Sequence, residues 1–175
     1  MLAMGGEQVD VITIALPKKV LEALERRAAT EGRAVEEFIS EAVLERLGID
    51  DPEAKAELHL KLCEKYMREA EVFLEKKDYV QASEKAWGAA SQMVKALAAR
   101  EGRELRSHAA LWEYVDELAE KLKDVELRHL WRTANALHQN FYEDWMPPRE
   151  VELSVRDVKA FLEKLRKIAG IVVDQ

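Results

Sequence analysis

The spacing of apolar positions changes once, near residue 17. In "VDVITIALP" apolar side chains alternate with others and β-branched types dominate, which predicts a strand over residues 9–16 ended by Pro17. The next stretch, "KKVLEALERRAATEGRAVEEFISEAVLERLGID", changes to a helical period. Val20, Leu21, Leu24 and Ala28 form one side of a first helix, and Glu31-Gly32-Arg33 breaks it. Phe38, Ile39, Ala42, Val43 and Leu47 form one side of a second. Gly48 stops that helix and Pro52 suits the first turn of another, so the pattern divides the chain into 1–50 and 51–175.

From Pro52 onward the period stays helical. Leu58, Leu62, Tyr66, Ala70 and Phe73 share one stripe, and Asp78-Tyr79 marks a turn. Ala82, Ala86, Ala89, Met93 and Leu97 then allow a close helix approach before Gly102. A third helix of this part starts near Ser107, a fourth spans about Val125 to Tyr142, and Pro147-Pro148 precede a fifth beginning at Ser154 and Asp157. Short connections make an antiparallel five-helix bundle the default, so the predicted class is mostly α with an N-terminal strand-helix-helix module. "FLEKKDYVQASEKAWGAA" resembles half of a tetratricopeptide repeat, but no second copy follows at the repeat period.

Composition narrows the function classes. Hydrophobic residues at 48% suffice for a core and charged residues at 35% keep outer faces wet. No run approaches the roughly 18 to 20 apolar residues that span a bilayer, and the start "MLAMGGEQVD" lacks a basic, apolar leader, so a cytoplasmic protein without membrane contact is expected. Cys63 is the only cysteine and reads as a core residue. A net charge of −7 excludes a surface that attracts nucleic acid everywhere. The acidic excess is shared, with 6 basic and 10 acidic side chains in residues 1–50 and 21 and 24 beyond, so only a local basic groove is open.

A lone strand must pair with something, because its backbone groups need partners. Strand, "LP", helix, Gly turn and helix over residues 9–48 resemble the ribbon-helix-helix family, in which two chains pair their N-terminal strands. That resemblance implies a homodimer, with Ile12, Ile14 and Leu16 inward and Val11, Thr13 and Ala15 on the face that reads DNA. Here only Thr13 offers that face a polar group, which favours dimerisation over base recognition.

The Ala-rich second helix, "RSHAALWEYVDEL" and "RTANALHQNFYEDW" together resemble a HEPN domain, specifically the archaeal PaREP family, over residues 52–168. HEPN domains are helical bundles that usually dimerise. Many are metal-independent ribonucleases that use an arginine followed by a histidine on one helix, and others bind nucleotides or partner proteins. Arg132 and His138 match that motif with five residues between them, and Thr133 is an imperfect match to the polar residue that often follows the arginine. On a helix the pair lies about 120° apart and about 9 Å along the axis, with Asn135 midway as a supporting group, so one helix alone cannot converge them.

A two-fold dimer would face the same helix from both chains into one cleft. There the histidine would take a 2′-hydroxyl proton and the arginine would stabilise the phosphorane. Against catalysis, Leu130, Ala134, Leu137 and Phe141 define a buried side with His138 at its margin. Arg100, Arg103, Arg106 and His108 cluster at one turn as a candidate phosphate rim, with Glu101 and Glu104 available to neutralise it. His59, His108, His129 and His138 show no metal-ligand spacing, and no cofactor motif is present. The expected protein is a homodimer or dimer of dimers, joined through N-terminal strands and bundle helices. Its expected role is non-catalytic or regulatory and linked to RNA or DNA, as in toxin-antitoxin or defence systems. A metal-independent ribonuclease and a protein-interaction scaffold are the alternatives.

Overall fold

The structure is a computed structural model that describes residues 11–170. Among the described residues seven helices follow one another: α1 (Lys18–Thr30), α2 (Val35–Leu47), α3 (Pro52–Glu75), α4 (Tyr79–Arg100), α5 (His108–Leu122), α6 (Val125–Glu143) and α7 (Pro148–Ile168). The mostly α reading stands. The strand-helix-helix module does not, because no strand exists among the described residues. Residues 9 and 10 of the expected strand lie outside them, and residues 11–17 are irregular with exposed side chains, Thr13 included. The alternating pattern records β-propensity alone; a strand also needs a neighbour's hydrogen bonds, and no described segment supplies them.

Local chemistry explains most boundaries. Asp51, Asp78, Ser107 and Asp124 each accept a backbone N–H from the first turn of α3, α4, α5 and α6. Gly32 and Gly48 adopt left-handed backbone at the ends of α1 and α2, where a side chain would be strained. The last helix starts at Pro148, earlier than Ser154, because a proline in the first turn begins a helix without losing a needed donor.

Helix α4 is central. It pairs with α3 along most of its length and also touches α5, α6 and α7. Ala82, Ala86, Ala89 and Ala90 are fully buried, and a Cβ added to Gly88 would stand 3.2 Å from Tyr66 Cδ2, so small residues set the α3–α4 spacing. Trp131, Leu137, Phe161, Leu162 and Leu165 bring α6 and α7 into the same core. Cys63 is buried there, and burial pushes its thiol up to about 12, which keeps it unreactive.

The α1–α2 pair is built differently. Its apolar side, including Val20, Leu21, Val43 and Leu47, is exposed, while Ala28 and Glu37 are its buried residues. The surface it presents to α3 and α4 is therefore largely polar, and it positions the cleft described next.

Candidate functional site

Between the α1–α2 pair and the bundle lies a cleft of about 400 Å³. A polar stripe on α4 forms its floor: Glu84, Trp87, Ser91 and Lys95, spaced so that they share one helix face. Helix α5 contributes His108 and α6 contributes His138 and Tyr142. The His138 ring stacks on Trp87 with centroids 3.8 Å apart, and His108 lies 5.1 Å from His138 and 5.3 Å from Trp87. Tyr142 meets His138 edge-on at 5.2 Å and is 71% exposed, an open aromatic face at the mouth. Nδ1 of His138 lies 3.1 Å from Glu84 Oε2. Burial and the neighbouring His138 hold His108 below the ordinary histidine range.

Behind this face is a buried ion pair. Lys95 Nζ donates to both oxygens of Glu37, at 2.7 and 3.0 Å, with side chains only 7% and 2% exposed. Gln92 Nε2 donates to Glu37 Oε2 at 2.7 Å, and His59 Nδ1 donates to Gln92 Oε1 at 2.7 Å. Burial pushes the Glu37 carboxyl upward, but the Lys95 ammonium and its hydrogen bonds outweigh that and leave it lowered. Alongside, Glu36 binds Lys65 at 2.5 Å and accepts from Tyr66 at 3.1 Å. These contacts dock α2 onto α3 and α4.

Glu37, Glu41 and His59 bring donor atoms within 4.8 Å of one another. Their capacity is already committed: Lys95 and Gln92 hold Glu37, Gln92 holds His59, and Arg33 Nη1 holds Glu41 at 2.5 Å. The arrangement is a salt-bridge network.

Desolvation lowers the pKa of His59 below its ordinary value, with Gln92 and Glu37 opposing. Stability from its neutral form is thus complete above the unfolded value near 6.5 and is lost as pH falls through the folded value. Denaturant midpoints should drop as pH falls below about 6.5, and His59→Leu should flatten that drop; an unchanged slope contradicts this origin.

The candidate residues fall into separate places. Arg132 is exposed, with no ion pair or hydrogen bond to any described residue, while His138 faces the cleft. Asn135 donates to Trp131 O of its own helix at 2.8 Å. Within one chain Arg132 and His138 are not brought together. Arg100 pairs with Glu53, Arg103 with Glu117 and Arg106 with Glu104, so the three rim arginines have carboxylate partners, and only His108 of that group lines the cleft. No sequence motif marks Glu37, Glu84, Trp87, Ser91 or Lys95. Their signal is the polar stripe at 84, 87, 91 and 95 on an alanine-rich helix.

A model of the archaeal PaREP1/PaREP8 family matches residues 58–162. The chain belongs to this family. The matched region takes in the cleft residues of α3 to α6 and leaves out α1 and α2. A crystal structure of a Sulfolobus solfataricus protein is similar at a TM-score of 0.53 and 29% identity, over 61% of this chain and 94% of that one. No curated protein matches. No described helix of this PaREP1/PaREP8 protein is long and apolar enough to cross a membrane.

Proposed function

We propose that this PaREP1/PaREP8 protein is a homo-oligomeric, HEPN-type protein that associates with single-stranded nucleic acid without cutting it, in a regulatory role of the toxin-antitoxin or defence kind. The observation that carries this reading is the cleft mouth, where exposed Tyr142 adjoins the His138 imidazole and His138 in turn adjoins that of His108. Aromatic and imidazole faces accept stacked bases at about 1–3 kcal/mol each, independent of sequence. Non-catalysis is favoured because Arg132 and His138 point to different surroundings and His138 is held by Glu84 and Trp87. The exposed apolar face of α1 and α2 supports self-association.

The Glu84–His138 hydrogen bond favours one second reading. A carboxylate on Nδ1 fixes an imidazole's tautomer and suits acid–base work, so a partner chain that supplied Arg132 would make a metal-independent ribonuclease.

Incubating the protein with a mixed RNA pool in excess chelator separates the readings. Binding without cleavage, weakened by His138→Ala and Tyr142→Ala, is expected. Cleavage lost in both Arg132→Ala and His138→Ala would put the ribonuclease first, and no binding at any salt concentration would leave a protein scaffold.

A further inference from the structure

The cleft holds two buried polar atoms that pair with no described residue: the indole Nε1 of Trp87 and the hydroxyl of Ser91. Both residues line the cavity, one helical turn apart on α4, and they are 8% and 3% exposed. A buried donor without a partner is destabilising, and the indole N–H can only donate. Two such groups on one cavity wall offer an acceptor a pair of donors. Other unpaired buried atoms differ: Trp131 Nε1 lies among core side chains, and Glu69 Oε2 has the Lys85 ammonium at 2.6 Å.

The remaining lining fixes the charge and shape of what binds. Glu25, Glu36, Glu37 and Glu84 face Arg33, Lys85 and Lys95 around the cavity, and Lys95 is taken by Glu37. No unbalanced positive charge is left for a phosphate inside. The stacked Trp87, His138 and His108 rings make this wall aromatic, a surface that suits the edge or outer face of a flat group. About 400 Å³ lies in the range of small-molecule sites, where a few placed polar groups set orientation.

We propose that this cavity is a site for one unstacked nucleobase bearing a ring carbonyl, which accepts from Trp87 Nε1–H and Ser91 O–H while its phosphate stays outside near Tyr142. The proposal rests on the nucleic-acid reading above and names the group recognised. The base comes from a free nucleoside or from a single-stranded chain, and the chemistry inside the cavity is the same for both.

Indole fluorescence and calorimetric titration of the full chain with uridine, with a short oligouridylate and with the same oligomer carrying abasic positions tests it. The oligouridylate should bind, abasic substitution should weaken it at least tenfold, and Ser91→Ala should weaken the intact oligomer about tenfold with no change for the abasic one. Trp87→Phe keeps a ring but removes the N–H, and it should give a similar loss. Uridine binding with the same Ser91 dependence assigns the site to free nucleosides as well; oligomer binding alone assigns it to chains. If oligomers bind but neither abasic positions nor the two variants matter, the pocket is overturned and the nucleic-acid reading survives. If folded protein binds neither uridine nor any oligomer, both are overturned; if it binds uridine alone with the Ser91 dependence, the pocket stands and the nucleic-acid reading is overturned.

Discussion

Lys95→Met should loosen α2 from the bundle by about 3–5 kcal/mol, because it leaves the Glu37 carboxylate buried with its ammonium partner gone. The effect should be local. No hydrophobic residue of α1 or α2 packs against the main core cluster, only Ala34 just before α2 does, and docking depends on Glu37, Glu36 and their partners. Amide exchange in α2 should therefore accelerate more than a hundredfold while α4 and α6 stay protected. The double variant Glu37→Leu with Lys95→Met should recover much of the loss, since an apolar pair of similar volume replaces a buried ion pair at small net cost. Recovery stays incomplete because Gln92 Nε2 loses its acceptor. Uniform acceleration through all helices, or none in α2, would contradict this division.

The second large effect belongs to the bundle. Trp131 is 1% exposed and meets Trp112 of α5 and Phe161 of α7, each with ring centroids 5.9 Å apart. Trp131→Ala should cost about 3–5 kcal/mol, from lost burial plus the cavity left among three helices. Here the loss should be global, because α6 carries the core residues Leu130, Ala134 and Leu137 together with His138. Trp131→Phe should cost less, since it keeps much of the ring contact and removes an N–H that has no described partner. Urea unfolding followed by near-ultraviolet dichroism distinguishes these outcomes, and a midpoint unmoved by Trp131→Ala would contradict the proposed packing.

These two variants mark what the sequence could and could not disclose. The stripes Leu62-Tyr66-Ala70 and Leu130-Ala134-Leu137 point inward as their spacing implies, because a core helix obeys a local period. "VITIAL" misleads, since alternation reports a side-chain preference whereas a strand depends on a remote or absent ladder partner. In the cleft, His108 and His138 were legible as chemically capable residues, but their meeting through Trp87 is a property of three helices packed together. Glu37 and Lys95 stand 58 positions apart, so no spacing rule links them. Arg132 and His138 share one helix yet face different surroundings, as the helical angle implies for a single chain.

The most direct measurement of the central claim is photo-crosslinking of a single-stranded oligonucleotide containing 4-thiouridine to the full chain, followed by mapping of the modified residues. Crosslinks should fall on the cleft, at Trp87, His108, His138 or Tyr142, and decline in Ser91→Ala. Crosslinks confined to the exposed apolar face of α1 and α2, or to the surface around Arg132, would contradict the assignment of the cleft.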